Sequence, residues 1–158
     1  MLRISRLTDY ATVILATLAQ EPALLQTSAA LAEQTRLALP TVSKVLKQLQ
    51  RAGLVTSTRG LRGGYQLARP ATKISAGEIL DALEGPMALT DCASGQGNCG
   101  LERTCRVGHA WQRLNLTIRR SLHEVSLAQL AGLGAEQPRV LALERDMKAA
   151  ASRPLSRS

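Results

Sequence analysis

The sequence predicts a mainly α-helical chain with one small β-hairpin and a long amphipathic helix beyond it. Three observations predict this class. Apolar residues make up 45% of the 158 positions, yet there is one Trp, two Tyr and no Phe, so the core must be built from Leu, Ile, Val and Ala, which suits helix packing. Apolar residues recur at helical spacing through the first fifty residues and again between 107 and 122. Between those stretches, at 54–67, two short runs flank a glycine cluster in the manner of two strands and their turn.

Residues 7–20 alternate apolar and polar positions with helical period, and Pro22 ends that helix. Thr27-Ser28 offers an N-cap for a short helix through Leu31 and Ala32 to Gln34. A break follows at 35–39. Pro40 then fits the first turn of another helix, where its missing N–H costs nothing. That helix runs to about Ala52, and Gly53 stops it. Val42, Val45, Leu46 and Leu49 form one apolar stripe, while Thr41, Ser43, Lys44, Lys47, Gln48 and Arg51 lie outside it. Two short helices, a tight turn and a basic second helix describe a helix-turn-helix, although an ordinary helical hairpin has the same outline.

The next residues decide between the two. Residues 54–59 read as a strand and Tyr65-Gln66-Leu67 as its return, joined by Gly60-Leu61-Arg62-Gly63-Gly64. A glycine hairpin directly after a basic helix is a wing. Arg59 and Arg62 sit on it, and an arginine on a narrow loop can enter a minor groove, where the negative potential is deepest.

Pro70 closes the wing. Ser75 and Glu78 form a capping box, so a helix starts there and runs to about Glu84, with Ile79, Leu80 and Leu83 available to pack back on the first domain. Gly85 and Pro86 end it, and 88–104 reads as an irregular loop. A long helix is expected from near Cys105, with Val107, Trp111, Leu114, Ile118 and Leu122 as a continuous seam and Arg113, Arg119 and Arg120 off it. One long amphipathic helix on a small domain reads as a dimerisation helix. A short helix is expected within 126–133, a further one at 141–151, and disorder at 153–158. The expected organisation is therefore a winged helix-turn-helix DNA-binding domain at 1–84, a cysteine-bearing loop at 85–104, a dimerisation region at 105–133 and a C-terminal extension at 134–158.

Charge placement narrows the function. The net charge is +8, and no acidic residue occurs between Glu33 and Glu78, while Arg36, Lys44, Lys47, Arg51, Arg59, Arg62, Arg69 and Lys73 fall in that interval. A field of one sign attracts a polyanion, and nucleic acid is the usual one. No stretch reaches the ~18 apolar residues of a membrane span. The apolar run at 11–19 faintly resembles a secretion signal, but Asp9 stands where such a signal carries a basic leader. An odd number of cysteines also argues against a secreted disulfide framework. The expected location is the cytoplasm. No nucleophile–base set, phosphate loop or carboxylate pair stands out, and two histidines leave little acid–base chemistry, so no enzyme is expected.

The three cysteines, Cys92, Cys99 and Cys105, fall within one fourteen-residue, glycine-rich stretch. Three thiolates on such a loop can close around one centre, and soft donors suit an iron–sulfur cluster or zinc. The C-x6-C-x5-C spacing matches neither the common zinc pattern nor the ferredoxin runs. One ligand is missing. His109, four residues after Cys105, is one candidate, and Asp9 of a second subunit is another. His123 has no partner in view.

Residues 2–10 (Leu-Arg-Ile-Ser-Arg-Leu-Thr-Asp-Tyr), the run Leu39-Pro-Thr-Val-Ser-Lys-Val-Leu-Lys, Gly53-Leu-Val and Arg59-Gly-Leu-Arg-Gly-Gly-Tyr65, together with the cysteine trio, resemble the IscR/NsrR family of iron–sulfur winged-helix transcriptional regulators. Within it the likeness is to regulators of the SUF iron–sulfur assembly operon, over about residues 1–133. The resemblance implies a homodimer on a palindromic operator, with Thr41, Ser43, Lys44 and Lys47 on the recognition helix and Arg59 in the minor groove. It implies Cys92, Cys99 and Cys105 as ligands of an iron–sulfur cluster, 2Fe-2S in preference to 4Fe-4S. The first cysteine gap is one residue longer than in IscR, and the IscR-type histidine would fall at Gly108, one place from His109. In the NsrR branch an aspartate of the first helix completes the cluster, and that position is Asp9. The expected function is repression of iron–sulfur assembly genes, with a nitric oxide or redox-sensing repressor of the same fold as the alternative.

Overall fold

The computed structural model describes residues 4–86, 88–90 and 107–133. Among the described residues six α-helices and one hairpin follow in the order α1 (Arg6–Gln20), α2 (Ser28–Thr35), α3 (Leu39–Arg51), β1 (Val55–Thr58), β2 (Gly64–Leu67), α4 (Ala76–Glu84), α5 (Gly108–Glu124) and α6 (Leu127–Leu130). A 3-10 turn, Ala71–Lys73, precedes α4. This is a winged helix-turn-helix followed by a long helix.

Local chemistry sets the helix starts. Ser5, Thr27, Ser75 and Ser126 each accept a backbone N–H of the first turn with their hydroxyl, at α1, α2, α4 and α6 respectively. Ser75 with Glu78 and Ser126 with Gln129 complete reciprocal capping boxes. α3 has Ala38 at its cap and Pro40 in its first turn, so the fixed φ of proline replaces a side-chain cap. The long helix starts at Gly108, later than expected from the sequence, with Val107 at its cap.

One core holds the first domain together. Ala11, Ile14, Leu15 and Leu18 of α1 meet Leu31 of α2 and the whole stripe of α3, Val42, Val45, Leu46 and Leu49, all essentially without solvent contact. Leu54, Val55 and Leu67 close it below the hairpin, and Ile74 and Ile79 below α4. Leu127 of α6 is also fully buried there. The chain therefore returns to the head after α5, with Leu127 N–H donating to Ile74 O at 2.7 Å and Ala76 N–H to Val125 O at 2.8 Å.

The hairpin is antiparallel, with Val55 opposite Leu67 and Thr58 opposite Gly64. It is widened by one residue from elsewhere: Gln26, ahead of α2, exchanges both backbone hydrogen bonds with Tyr65, at 3.0 and 2.8 Å. That contact requires a glycine at 64, because a Cβ there would lie 2.9 Å from the Gln26 backbone. The wing is thereby docked on the helix-turn-helix rather than hanging from it.

Candidate nucleic-acid interface and switch region

α3 turns its apolar stripe wholly inward, which leaves its other side for a ligand. Lys44, Lys47 and Arg51 are exposed, and Thr41 and Ser43 are half-buried at the flanks. The turn that leads into α3 passes through Arg36 at φ 56°, a left-handed conformation unusual for a residue with a Cβ. At the other end Gln50 Nε2 donates to Ser57 Oγ at 2.9 Å, tying α3 to β1. Arg59 and Arg62 are exposed on the wing. Among the described residues Lys44, Lys47, Arg59 and Arg62 form no ion pair, so their charge is available to an external anion.

The second region surrounds the cysteines. Cys92, Cys99 and Cys105 lie outside the described residues, as do the expected helix at 141–151 and the tail at 153–158. Among the described residues no group of three or more His, Cys, Asp or Glu could hold a metal ion. The two candidate fourth ligands are both described. Asp9 is exposed on the first turn of α1, and its carboxylate makes no hydrogen bond or ion pair to any described residue. His109 is exposed on the first turn of α5, and its ring likewise has no such partner.

The cysteine segment leaves α4 at a fixed point. Glu84, the last residue of α4, accepts the Ser5 N–H at 3.2 Å and the Thr8 hydroxyl, so the end of α4 is clamped to the start of α1. Hydrogen bonds from Ser5, then Thr8, hold the Glu84 carboxyl below the usual carboxylate range. Asp9 follows Thr8 directly. An open carboxylate therefore stands one residue from the clamp at the end of α4, eight positions in sequence before Cys92, and three thiolates with one further donor suit an iron–sulfur centre.

The segment re-enters the described structure at α5. Polar residues tie this helix to α4 and to the segment after it. Asn115 is buried and accepts Leu89 N–H, beyond α4, at 3.2 Å. Arg119 pairs with Asp81 at 3.1 Å. His123 meets Ser75 Oγ through Nδ1 at 3.0 Å and approaches Asp81 at 3.9 Å, with its ring filling the space a side chain at Gly77 would need. The partner missing from the sequence for His123 lies 48 positions away, so nothing local signals it. The apolar seam is on another side. Val107, Trp111 and Leu114 are exposed, and Ile118 and Leu122 half-buried. The seam runs into a hollow of about 330 Å³ whose lining includes Thr8, Asp9, Ile79, Leu122, Val125 and Leu130.

A basic helix with its apolar side fully buried, followed by a docked wing bearing two exposed arginines, is the arrangement of a winged-helix DNA-binding protein. Residues 4–132 match the Rrf2 family of iron-dependent transcriptional regulators, and the chain belongs to that family. A relative from Neisseria meningitidis serogroup B, designated an HTH-type transcriptional regulator, is 37% identical over 101 residues, covering 64% of this chain and 68% of that one. A similarly designated Haemophilus influenzae relative is 35% identical over 100 residues, covering 63% of this chain and 66% of its own. Among solved structures, CymR, the global cysteine regulator of B. subtilis, is similar with a TM-score of 0.66 and 27% identity, over 85% of this chain and 99% of CymR. T. potens IscR shares the fold, with a TM-score of 0.61 at 24% identity, over 97% of this chain and 93% of that one. No helix among the described residues is long and apolar enough to cross a membrane.

Proposed function

We propose that this regulator is an iron–sulfur-cluster-dependent repressor of iron–sulfur assembly genes, acting as a homodimer on a palindromic operator. The observation that carries the reading is the open carboxylate of Asp9 next to the clamped start of the cysteine segment. The family's description as iron-dependent, over a range that includes all three cysteines, supports it.

Cys92, Cys99 and Cys105 would hold the cluster, with Asp9 or His109 as the fourth ligand. The cluster would supply a labile metal–thiolate linkage that exists only while clusters are plentiful. The chain's own residues do the rest. Thr41, Ser43, Lys44 and Lys47 face a major groove, and Arg59 and Arg62 reach the backbone and minor groove from the wing. The exposed seam of α5 is covered by the same seam of a second copy, an isologous contact. Because the seam runs into the hollow beside Asp9, the partner copy comes close to that carboxylate. The pairing also sets the separation of the two heads, which must approach one DNA turn, ~34 Å. Arg119 and His123 fasten α5 to α4, so a change at the start of α5 is passed to the head.

The test is purification without oxygen, followed by visible spectroscopy and operator titration. A coloured protein whose operator affinity falls when iron is chelated meets the proposal. A colourless protein carrying zinc contradicts it. A second reading, a nitric oxide or redox sensor, draws on the same unpartnered Asp9. Loss of operator binding at near-stoichiometric nitric oxide, with no response to iron supply, would favour that reading instead.

A further inference from the structure

Among the described residues, five of the eleven large apolar side chains that are exposed, Val13, Trp111, Leu114, Leu116 and Leu130, belong to α1, α5 or α6, where a second copy can cover them. Leu61 does not. It is fully exposed, at 109% of its reference area, and sits at the tip of the wing. A tip residue is ordinarily Asn, Asp, Ser or Gly, because such residues favour the turn and water. Leucine does neither.

The backbone defines the turn that carries it. Gly63 N–H donates to Gly60 O at 2.9 Å, closing a four-residue turn with Leu61 and Arg62 at its two corners. Gly60 adopts φ 114°, which a residue with a Cβ rarely takes. A Cβ on Gly63 would collide with Thr58 O and come within 2.9 Å of Gly60 O. Two obligatory glycines thus hold one apolar and one cationic side chain at the outermost point of the hairpin. Arg59 stands two residues before Leu61, and the wing itself is locked to Gln26 and, through Ser57, to Gln50 of α3. The leucine is therefore displayed on a hairpin that is docked beside the reading helix.

We propose that Leu61 is a minor-groove wedge: it inserts at a flexible base step beside the groove entered by Arg59, partly unstacking that step. This inference rests on the DNA-reading role proposed above. Apolar wedges on cationic elements unstack base steps and kink the duplex, and pyrimidine–purine steps yield most easily. Arg62 on the adjacent corner supplies the phosphate contact that holds the wedge in place. Leu61 thereby confers a sequence preference through deformability rather than through a hydrogen bond to a base edge.

The experiment uses the full chain and an operator selected from random duplexes by the wild-type protein. 2-Aminopurine replaces adenine at successive steps under the wing, and its fluorescence reports unstacking. Wild type is expected to raise the fluorescence at one step, and Leu61→Met to retain that rise. Leu61→Ala is expected to abolish it while binding several-fold to about tenfold more weakly, the scale of one leucine's burial less the unstacking cost. Replacing that step by a stiff A-tract should weaken wild-type binding and leave Leu61→Ala binding unchanged. An undiminished rise with Leu61→Ala, or no rise at any step for wild type on bound operator, overturns the wedge and leaves the DNA-reading role standing. Failure of wild type to select any duplex overturns both. A change in self-association caused by Leu61→Ala, with operator fluorescence unaltered, assigns the residue to a protein contact and also overturns the wedge.

Discussion

The reading head and α5 solve the same problem differently. Both carry an apolar stripe at helical spacing. In α3 the stripe is covered within the chain, with Val42, Val45, Leu46 and Leu49 all at 0% exposure. In α5 the chain covers a polar side instead, Arg119 and His123 against α4 and Asn115 against Leu89, and leaves Trp111 and Leu114 over 40% exposed. A helix that spends polar residues on its own chain and displays its apolar ones suits the proposed second copy. Under that proposal the difference separates what one copy folds from what two copies assemble.

The strongest test of that difference is a pair of leucine truncations. Leu46→Ala removes a fully buried side chain and is expected to lower unfolding stability by about 2–5 kcal/mol in denaturant titration. Leu114→Ala should leave the unfolding of the head almost unchanged. Its effect should appear in sedimentation, as a dimer dissociation constant raised by about tenfold or more, since each copy loses part of a buried leucine. Equal effects on folding from both variants would erase the distinction.

Within the head the comparison sharpens at the wing. Gly64→Ala places a Cβ 2.9 Å from the Gln26 backbone and must push the hairpin away. A cost of about 1–3 kcal/mol is expected, with far-ultraviolet circular dichroism nearly unchanged and operator affinity reduced, because Arg59 and Arg62 move relative to α3. Lys47→Ala should weaken operator binding without touching stability. It should reduce the slope of log affinity against log salt by about one, as expected for one lost phosphate contact.

The smallest effect concerns pH. The Glu78 carboxylate accepts the Ser75 N–H at 2.9 Å and pairs with Arg69 at 2.8 Å, which holds its pKa below the ordinary value of 4.5. A carboxyl lowered on folding stabilises the native state above its unfolded pKa, and this contribution fades as pH falls through the lowered value. Stability measured by urea titration should therefore decline on the acid side of pH 4.5. Glu78→Gln should flatten that limb slightly, since the pair is solvent-exposed and screened.

Much of the head was legible in its sequence because its signals are local. The α3 stripe, the Ser75 capping box, Gly53 after α3 and the glycine turn of the wing each declare themselves within a few residues. What escaped notice is long-range. Gln26 joins the hairpin from 39 positions before Tyr65, and Leu127 returns to the core after the whole of α5. The two faces of α5 show the same limit. Its apolar seam could be read from spacing, but the polar side that grips α4 depends on Asp81 and Ser75, which no periodicity within α5 reveals. The start of α5 lies at Gly108 rather than near Cys105 because helical spacing in the seam does not mark where backbone hydrogen bonding begins. The cysteines were legible only as chemistry, three soft donors close in sequence.

The central claim, that the thiolates govern the grip of the head on DNA, is tested most directly by one titration. Wild type and Cys92→Ala, both purified without oxygen, are compared by fluorescence anisotropy on the same operator, with and without prior iron chelation. The account predicts that wild-type affinity falls on chelation, while Cys92→Ala binds weakly in both conditions. Equal affinity for the two proteins, with the same response to chelation, would contradict it.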